Sequence, residues 1–399
     1  MQDLVCSREK TLGSIMLVLG LVGWALLIVG TFGTALIGLL LGFIVYLFAQ
    51  SALIAHIKGN GVELSARQFP DLDEHFRFCC DRLELGPEER PVAYVLNGNG
   101  HINAFATRFL GSQYVVLMSD TVDAMRQLPE GLRFYIGHEL GHLKRKHLTG
   151  ALFRWPALWL PLLGSAYARA KETTCDRHGR ACCDSAETAG QALAALSAGP
   201  ERFSQLNLDA YAHQTRHSGG FWMSFHELLA GYPWISKRVQ RIARPEVRIP
   251  RRNGLAYVPA LVVPYAGRAG GAFGFLIMVY IIGVLAAVAI PQYKEYTVRA
   301  QLSAVVPQTE SIRQSLATYY AEHQEVPASL EALGVPTQLP SGATLTLDAK
   351  TMTLEVHTPA GELDLVPKLD KQQRMFWVCE SGTGLTAAEL PPACKSALR

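Results

Sequence analysis

The sequence predicts an α+β fold class in three parts. These are a transmembrane hairpin at the N-terminus, a mostly helical central domain with a small sheet, and a C-terminal unit in which a long helix packs on an antiparallel sheet. Three observations predict it. Residues 11–55 are almost uninterrupted apolar sequence, helical periodicity sets in after Pro129, and beyond residue 343 interleaved helical patterning gives way to strand-like alternation. With 399 residues and 49% hydrophobic content, the chain has room for two or three domains and leans away from an ordinary soluble protein.

The first apolar run is about twice the roughly 20 residues that one helix needs to cross a bilayer, so it reads as two spans near 12–30 and 34–55, broken at residues 30–34. A signal peptide has a much shorter apolar region and a small-residue cleavage site. A third span runs over 273–290 and stops at Pro291. Basic residues near span ends stay preferentially on the cytoplasmic side. Lys237, Arg238, Arg241, Arg244, Arg248, Arg251, Arg252 and Arg268 precede the third span, while Lys294 and Arg299 lie after it among acidic neighbours. Residues 56–270 are therefore expected in the cytoplasm and the C-terminal part in the periplasm. The net charge of +3 gives no reason to expect nucleic acid.

Cysteine placement tests that topology independently, because disulfides persist in oxidising compartments. Cys6, Cys79, Cys80, Cys175, Cys182 and Cys183 fall on the cytoplasmic side and read as buried thiols. Cys379 and Cys394 fall beyond the third span and suit one bridge.

In the central region, 91–96 and 113–118 read as strands, with the Asn97-Gly98-Asn99-Gly100 turn between them. Helices are expected from Pro129 onward, over 185–197 and over Phe221–Leu229. Residues 249–271, rich in Pro, Gly and Arg, read as a linker. After Pro291 a helix is expected over 292–321, then strands over 343–347, 351–356 and 374–379. The resulting domain boundaries are 1–56, 57–248, 249–271, 272–291 and 292–399.

His138-Glu139-Leu140-Gly141-His142 is an H-E-x-x-H pattern on a helix. At about 100° per residue the two histidines lie about 40° apart around the axis, so both imidazoles can reach one ion. Glu139 beside them can hold a water and take its proton, while a zinc ion lowers that water's pKa and polarises the scissile carbonyl. A catalytic zinc takes three protein ligands, and Glu172 could be the third, with Asp176 four residues on accepting a hydrogen bond from a ligand histidine. His147 is nine residues from His138, half a circle away, and is expected on a basic surface with Lys144, Arg145 and Lys146. His178, His213, His217 and His226 are assigned no metal role. The apolar run over 148–167 cannot be a span, since a crossing there would part His142 from Glu172. It is expected as a buried or interfacial hairpin.

His138–His142, Glu172 with Asp176, and Ile102-Asn103-Ala104-Phe105-Ala106-Thr107 together resemble the membrane metallopeptidase family of HtpX and the CAAX prenyl protease, over roughly residues 60–245. The resemblance implies a gluzincin fold, Glu172 as metal ligand, one Zn2+ per chain, and Asn103 and Ala104 on a strand edge that pairs with substrate backbone. It also implies a His-Pro followed by Arg. Arg238 matches, but Tyr232 stands where His is usual, and its hydroxyl can donate to an oxyanion.

The third span and the residues after it resemble a type IV pilin, through residues 281–301 and the closing Trp377-Val378-Cys379 and Leu390-Pro391-Pro392-Ala393-Cys394. The acidic residue that mature pilins carry near their N-terminus is replaced by Gly274, and an ordinary leader junction is missing. The pilin-like domain is therefore expected to stay attached as a periplasmic appendage that does not polymerise.

These readings lead to a zinc endopeptidase of a Gram-negative inner membrane, multi-pass, acting on membrane or misfolded polypeptides at the bilayer surface, with a possible periplasmic partner for the appendage. The alternative is a non-catalytic membrane scaffold whose pilin-like domain binds an envelope partner.

Overall fold

Apolar continuity forms the first two helices, α1 (Ser7–Gly30) and α2 (Ala35–Asn60). They part at a turn where Phe32 and Gly33 adopt positive φ and Thr31 Oγ1 accepts the Ala35 N–H at 3.2 Å. These helices, and the apolar stretch that begins at Gly274, are long and apolar enough to cross a membrane. Their faces are exposed at residues such as Leu26 (69%) and Phe48 (73%), which suits lipid contact and associates the chain with a membrane. The computed structural model describes residues 4–149, 151–267, 270–370, 374–391 and 394. Arg268, Pro392 and Ala393 lie outside them. The chain divides into two units, Met1–Val279 and Tyr280–Arg399. The architecture is α+β, as the sequence predicts.

In the first unit, β1 (Val62–Glu63) and α3 (Pro70–Arg82), which begins with a proline, lead to β2 (Val92–Leu96), β3 (Ala104–Phe109) and β4 (Ser112–Met118). The sheet order is β1-β2-β4-β3, with β2 parallel to β4 and β3 antiparallel to it. The expected turn forms, with Asn99 and Gly100 at positive φ, and the two expected strands are β2 and β4, paired in parallel with β3 between them in the chain. The hairpin is β3–β4, closed at Leu110 and Gly111, both at positive φ. Strand β3 is hard to read from sequence because Ala104-Phe105-Ala106-Thr107-Arg108-Phe109 alternates weakly, while the Asn and Gly run before it has strong turn character.

Two-residue alternation gives the sheet two buried faces. Tyr94, Leu96, Tyr114 and Val116 pack on Ile54 and Ile57 of α2, whereas Ala93, Val115 and Leu117 face the main core. That core is completed by α4 (Ser119–Ala124), α5 (Leu132–Lys144) and the helices after them. A short α6 (Ala151–Leu158) reverses at Leu162, at positive φ, into α7 (Leu163–Cys182). Trp155 of α6 stacks on Trp24 of α1, ring centroids 5.7 Å apart, and the Trp24 indole N–H donates to the Leu152 carbonyl at 3.0 Å. The apolar run over 148–167 is thus a helical hairpin laid on α1.

Ser185 caps α8 (Ala186–Arg202), its hydroxyl oxygen accepting the Thr188 N–H at 3.0 Å. Beyond it lie α9 (Leu208–His213), α10 (Phe221–Leu229), α11 (Ile235–Ala243) and α12 (Tyr257–Ala260). The segment expected as a linker is partly packed. Ala256, Ala260 and Val263 are buried against Leu228 and Leu229 of α10.

Helix α13 (Gly270–Val305) continues through Pro291, joining the expected third span to the helix expected after it. A proline removes one backbone bond, and the helix formers on both sides outweigh it here. Near residue 306 the chain turns into α14 (Glu310–His323). The second unit then forms an antiparallel meander of β5 (Thr344–Asp348), β6 (Thr353–Thr358), β7 (Gly361–Leu369) and β8 (Met375–Ser381). Leu302, Leu316, Leu354, Val356, Leu363 and Leu365 are among its core residues. Cys379 and Cys394 are disulfide-bonded, and the six remaining cysteines are buried free thiols.

Candidate metal centre

The site is set by how closely α5 and α7 approach. Glycines permit that approach. A Cβ at Gly137 of α5 would lie 2.7 Å from Cys182 Sγ, and one at Gly179 of α7 would lie 2.6 Å from the Phe134 carbonyl oxygen. At that separation His138 and His142 of α5 face Glu172 of α7. His138 Nε2 lies 3.3 Å from Glu172 Oε2, and His142 Nε2 lies 3.6 Å from Glu172 Oε1.

Those separations fit a metal. Donors at about 2.0–2.1 Å from a tetrahedral ion stand about 3.3 Å from one another. Cys175 offers a second arrangement, since its sulfur and the two histidines have ligand atoms within 4.8 Å of one another. Burial, with Glu172, Glu139 and Asp176 nearby, pushes the Cys175 thiol well above its ordinary pKa in the absence of a metal.

Charge around the cluster is balanced by carboxylates. Burial disfavours a proton on His138, but Asp176 and Glu172 outweigh it and hold the pKa up to about 10. Burial dominates at His142 and lowers it to about 3. Burial would raise Glu172, yet the two histidines and Arg238 hold it down to about 2. Asp176 also lies below the usual carboxylate range, because Arg238 and His138 overcome its burial. His138 Nδ1 is 3.1 Å from Asp176 Oδ1, off the line of a good hydrogen bond. The Arg238 fork donates to the same carboxylate through Nε at 2.9 Å and Nη2 at 2.6 Å.

Glu139, Asn103, Ala104, Tyr232 and Arg238 line the same pocket of about 370 Å3 as His138, His142 and Glu172. Leu196 of α8 and Phe134 of α5 are further walls, not singled out in the sequence. Tyr232 is 43% exposed at the pocket's edge, whereas Arg238 is buried and engaged by Asp176. Asn103 is fixed at the entry to β3. Its N–H donates to Thr121 Oγ1 at 2.8 Å, and its carbonyl accepts the Thr121 hydroxyl at 2.6 Å and the Met118 N–H at 3.1 Å.

One expectation is overturned. His147 is not on a basic surface: its side chain is only 4% exposed, and its Nδ1 lies 3.0 Å from His142 Nδ1. Helix α5 ends at Lys144, and Lys146 adopts positive φ, so the angular rule that pointed His147 away stops applying before it is reached. Glu9 of α1 meets it from the other side, with Oε1 3.0 Å from His147 Nε2. The signal in the sequence was an ionisable residue at the head of an apolar run. His178, by contrast, faces its own helix, with Nδ1 2.8 Å from the Thr174 carbonyl.

Residues 66–160 match the model of peptidase family M48, a family of metallopeptidases; the match contains His138–His142 and ends before Glu172. Elsewhere the chain is similar to pilins. It is 40% identical over 62 residues to a fimbrial protein of Neisseria meningitidis serogroup B, covering 16% of this chain and 36% of that protein. It is 38% identical over 60 residues to the type IV major pilin protein PilE1 of Neisseria gonorrhoeae, 15% of this chain and 36% of that protein. Against a fimbrial protein of Pseudomonas aeruginosa it is 39% identical over 54 residues, 14% and 35% of the two chains. The chain thus spans about a third of the length of these curated relatives, and it joins a region similar to peptidase family M48 to a region similar to pilins.

Proposed function

We propose that this protein is a zinc endopeptidase of the inner membrane, with one ion held by His138, His142 and Glu172. The observation that carries the reading is the approach of His138 Nε2 and His142 Nε2 to the two oxygens of the Glu172 carboxylate, at 3.3 and 3.6 Å, in a pocket that also contains Glu139. When bound, the ion lowers the pKa of a water and polarises the scissile carbonyl.

The chain's own residues supply the rest. Glu139 holds the attacking water and takes its proton, then passes that proton to the leaving amine. The Tyr232 hydroxyl donates to the oxygen on which negative charge develops. Arg238 acts one step back, holding Asp176 in place beside His138. Strand β3 is at the edge of its sheet, and its outer side can take an extended substrate strand by backbone pairing, with Asn103 and Ala104 nearest the metal. Backbone pairing favours unfolded or extended chains over one sequence, which suits membrane or misfolded proteins as substrates.

The peptidase domain, 57–248, is read as cytoplasmic and the pilin-like domain, 292–399, as periplasmic. The cysteines support this division, since the first unit carries six buried free thiols and the second a disulfide. Purified full-length protein should contain one zinc per chain and cleave casein, and Glu139→Gln should abolish cleavage while keeping the zinc. Metal-free wild-type protein, or full activity in Glu139→Gln, would contradict the reading.

A further inference from the structure

A histidine that ligates a metal usually has its other ring nitrogen hydrogen-bonded, often to a carboxylate, which fixes its tautomer and raises its basicity. His138 has the Asp176 carboxylate beside it, with Oδ1 3.1 Å from Nδ1. Around His142 the partner is His147, with the two Nδ1 atoms 3.0 Å apart. A histidine bonded to a histidine is only half an answer, because one ring must donate and the other accept. Glu9 resolves it. Its Oε1 lies 3.0 Å from His147 Nε2, with both side chains about 95% buried. A carboxylate accepts, so His147 Nε2 carries the hydrogen and its Nδ1 is the acceptor. His142 must then donate from Nδ1, which leaves its Nε2 lone pair facing Glu172, 3.6 Å from Oε1.

We propose that Glu9, acting through His147, is the positioning residue of His142. It selects the tautomer in which Nε2 is free to take a metal. The inference rests on the metal site proposed for His138, His142 and Glu172. The arrangement mirrors the other histidine. Asp176 is clamped by Arg238, and Glu9 Oε1 is clamped by Arg145 Nε at 3.2 Å. Glu9 belongs to α1, whose start is anchored to α7 by the Cys6 N–H donating to Thr174 Oγ1 at 3.0 Å. The first apolar helix is therefore part of the metal site, and metal affinity depends on its seating.

The test uses full-length protein in detergent, with zinc affinity read by chelator competition and the ligand field read from the visible spectrum of the cobalt(II)-substituted protein. Glu9→Leu and His147→Leu should each weaken zinc binding about 10- to 100-fold and alter the cobalt spectrum. Glu9→Gln, which keeps an acceptor and the side-chain shape, should recover part of the loss. Because the two residues act in series, the double variant Glu9→Leu/His147→Leu should be little worse than His147→Leu alone. Zinc affinity within about twofold of wild type in both single variants, or losses that multiply in the double variant, would overturn the inference while leaving the metal reading intact. A wild-type protein that takes up no zinc would overturn both.

Discussion

His138 and His142 lie one turn apart on α5, yet they are supported from different regions of the chain. His138 is backed directly by Asp176 from the neighbouring α7, with Arg238 of α11 behind it. His142 is backed through His147, from the turn after α5, by Glu9 of the first apolar helix. The first support is built inside the helical domain, while the second crosses to a segment whose composition suits lipid. An H-E-x-x-H helix is therefore not self-sufficient. Each ring needs an acceptor, and the chain supplies one locally and the other from a residue 138 positions from His147.

The largest expected effect lies between the two supports. Glu139→Gln should lower kcat/KM about 10²- to 10⁴-fold with zinc content unchanged, because glutamine keeps the side chain's shape and Glu139 is not one of the proposed ligands. Zinc loss in that variant would show that the base and the supports are not separate. Next, Arg238→Met removes the clamp on one side only. It leaves the buried Asp176 carboxylate without its guanidinium partner and should cost about 3–5 kcal/mol of stability, measured by denaturant unfolding in detergent. Gly179→Ala tests the geometry that both supports presume. Its methyl group would press on the Phe134 backbone and should cost about 1–3 kcal/mol, with weaker zinc binding.

A subtler effect concerns pH in the metal-free protein. His138 is raised to about 10, so its stabilising contribution is complete below its unfolded value near 6.5 and is lost as pH rises toward 10. His142 is lowered to about 3, so stability falls as pH drops from about 6.5 toward 3; Glu172, lowered to about 2, adds a further loss below its unfolded value of 4.5. Metal-free protein should thus be most stable near pH 6.5. Zinc-loaded protein should lose the decline on the alkaline side, because the ion replaces the proton on His138. An identical profile with and without zinc would separate His138 from the metal.

Legibility in the sequence divides along the same line. His138, Glu139, His142, Glu172 and Asp176 are readable because helical periodicity is local and each group sits within one helix. His147 misleads because α5 ends three residues before it, and Glu9 stands out only as an ionisable residue at the head of an apolar run, since nothing local pairs residue 9 with residue 147. Strand β7 escapes for a related reason: Gly361 to Leu369 carries Glu362, Asp364 and Pro367, and it becomes a strand through pairing on both sides with β6 and β8. The roles of Asn103 and Ala104 depend on family resemblance, since AFATRF alone does not announce an edge strand.

X-ray absorption at the zinc edge of the loaded full-length protein decides the identity of the third ligand. Ligation by His138, His142 and Glu172 predicts nitrogen and oxygen donors at about 2.0–2.2 Å, with the multiple-scattering pattern of two imidazoles and no sulfur shell, unchanged in Cys175→Ser. A sulfur shell near about 2.3 Å that disappears in Cys175→Ser would contradict it, replacing Glu172 with Cys175 as the third ligand.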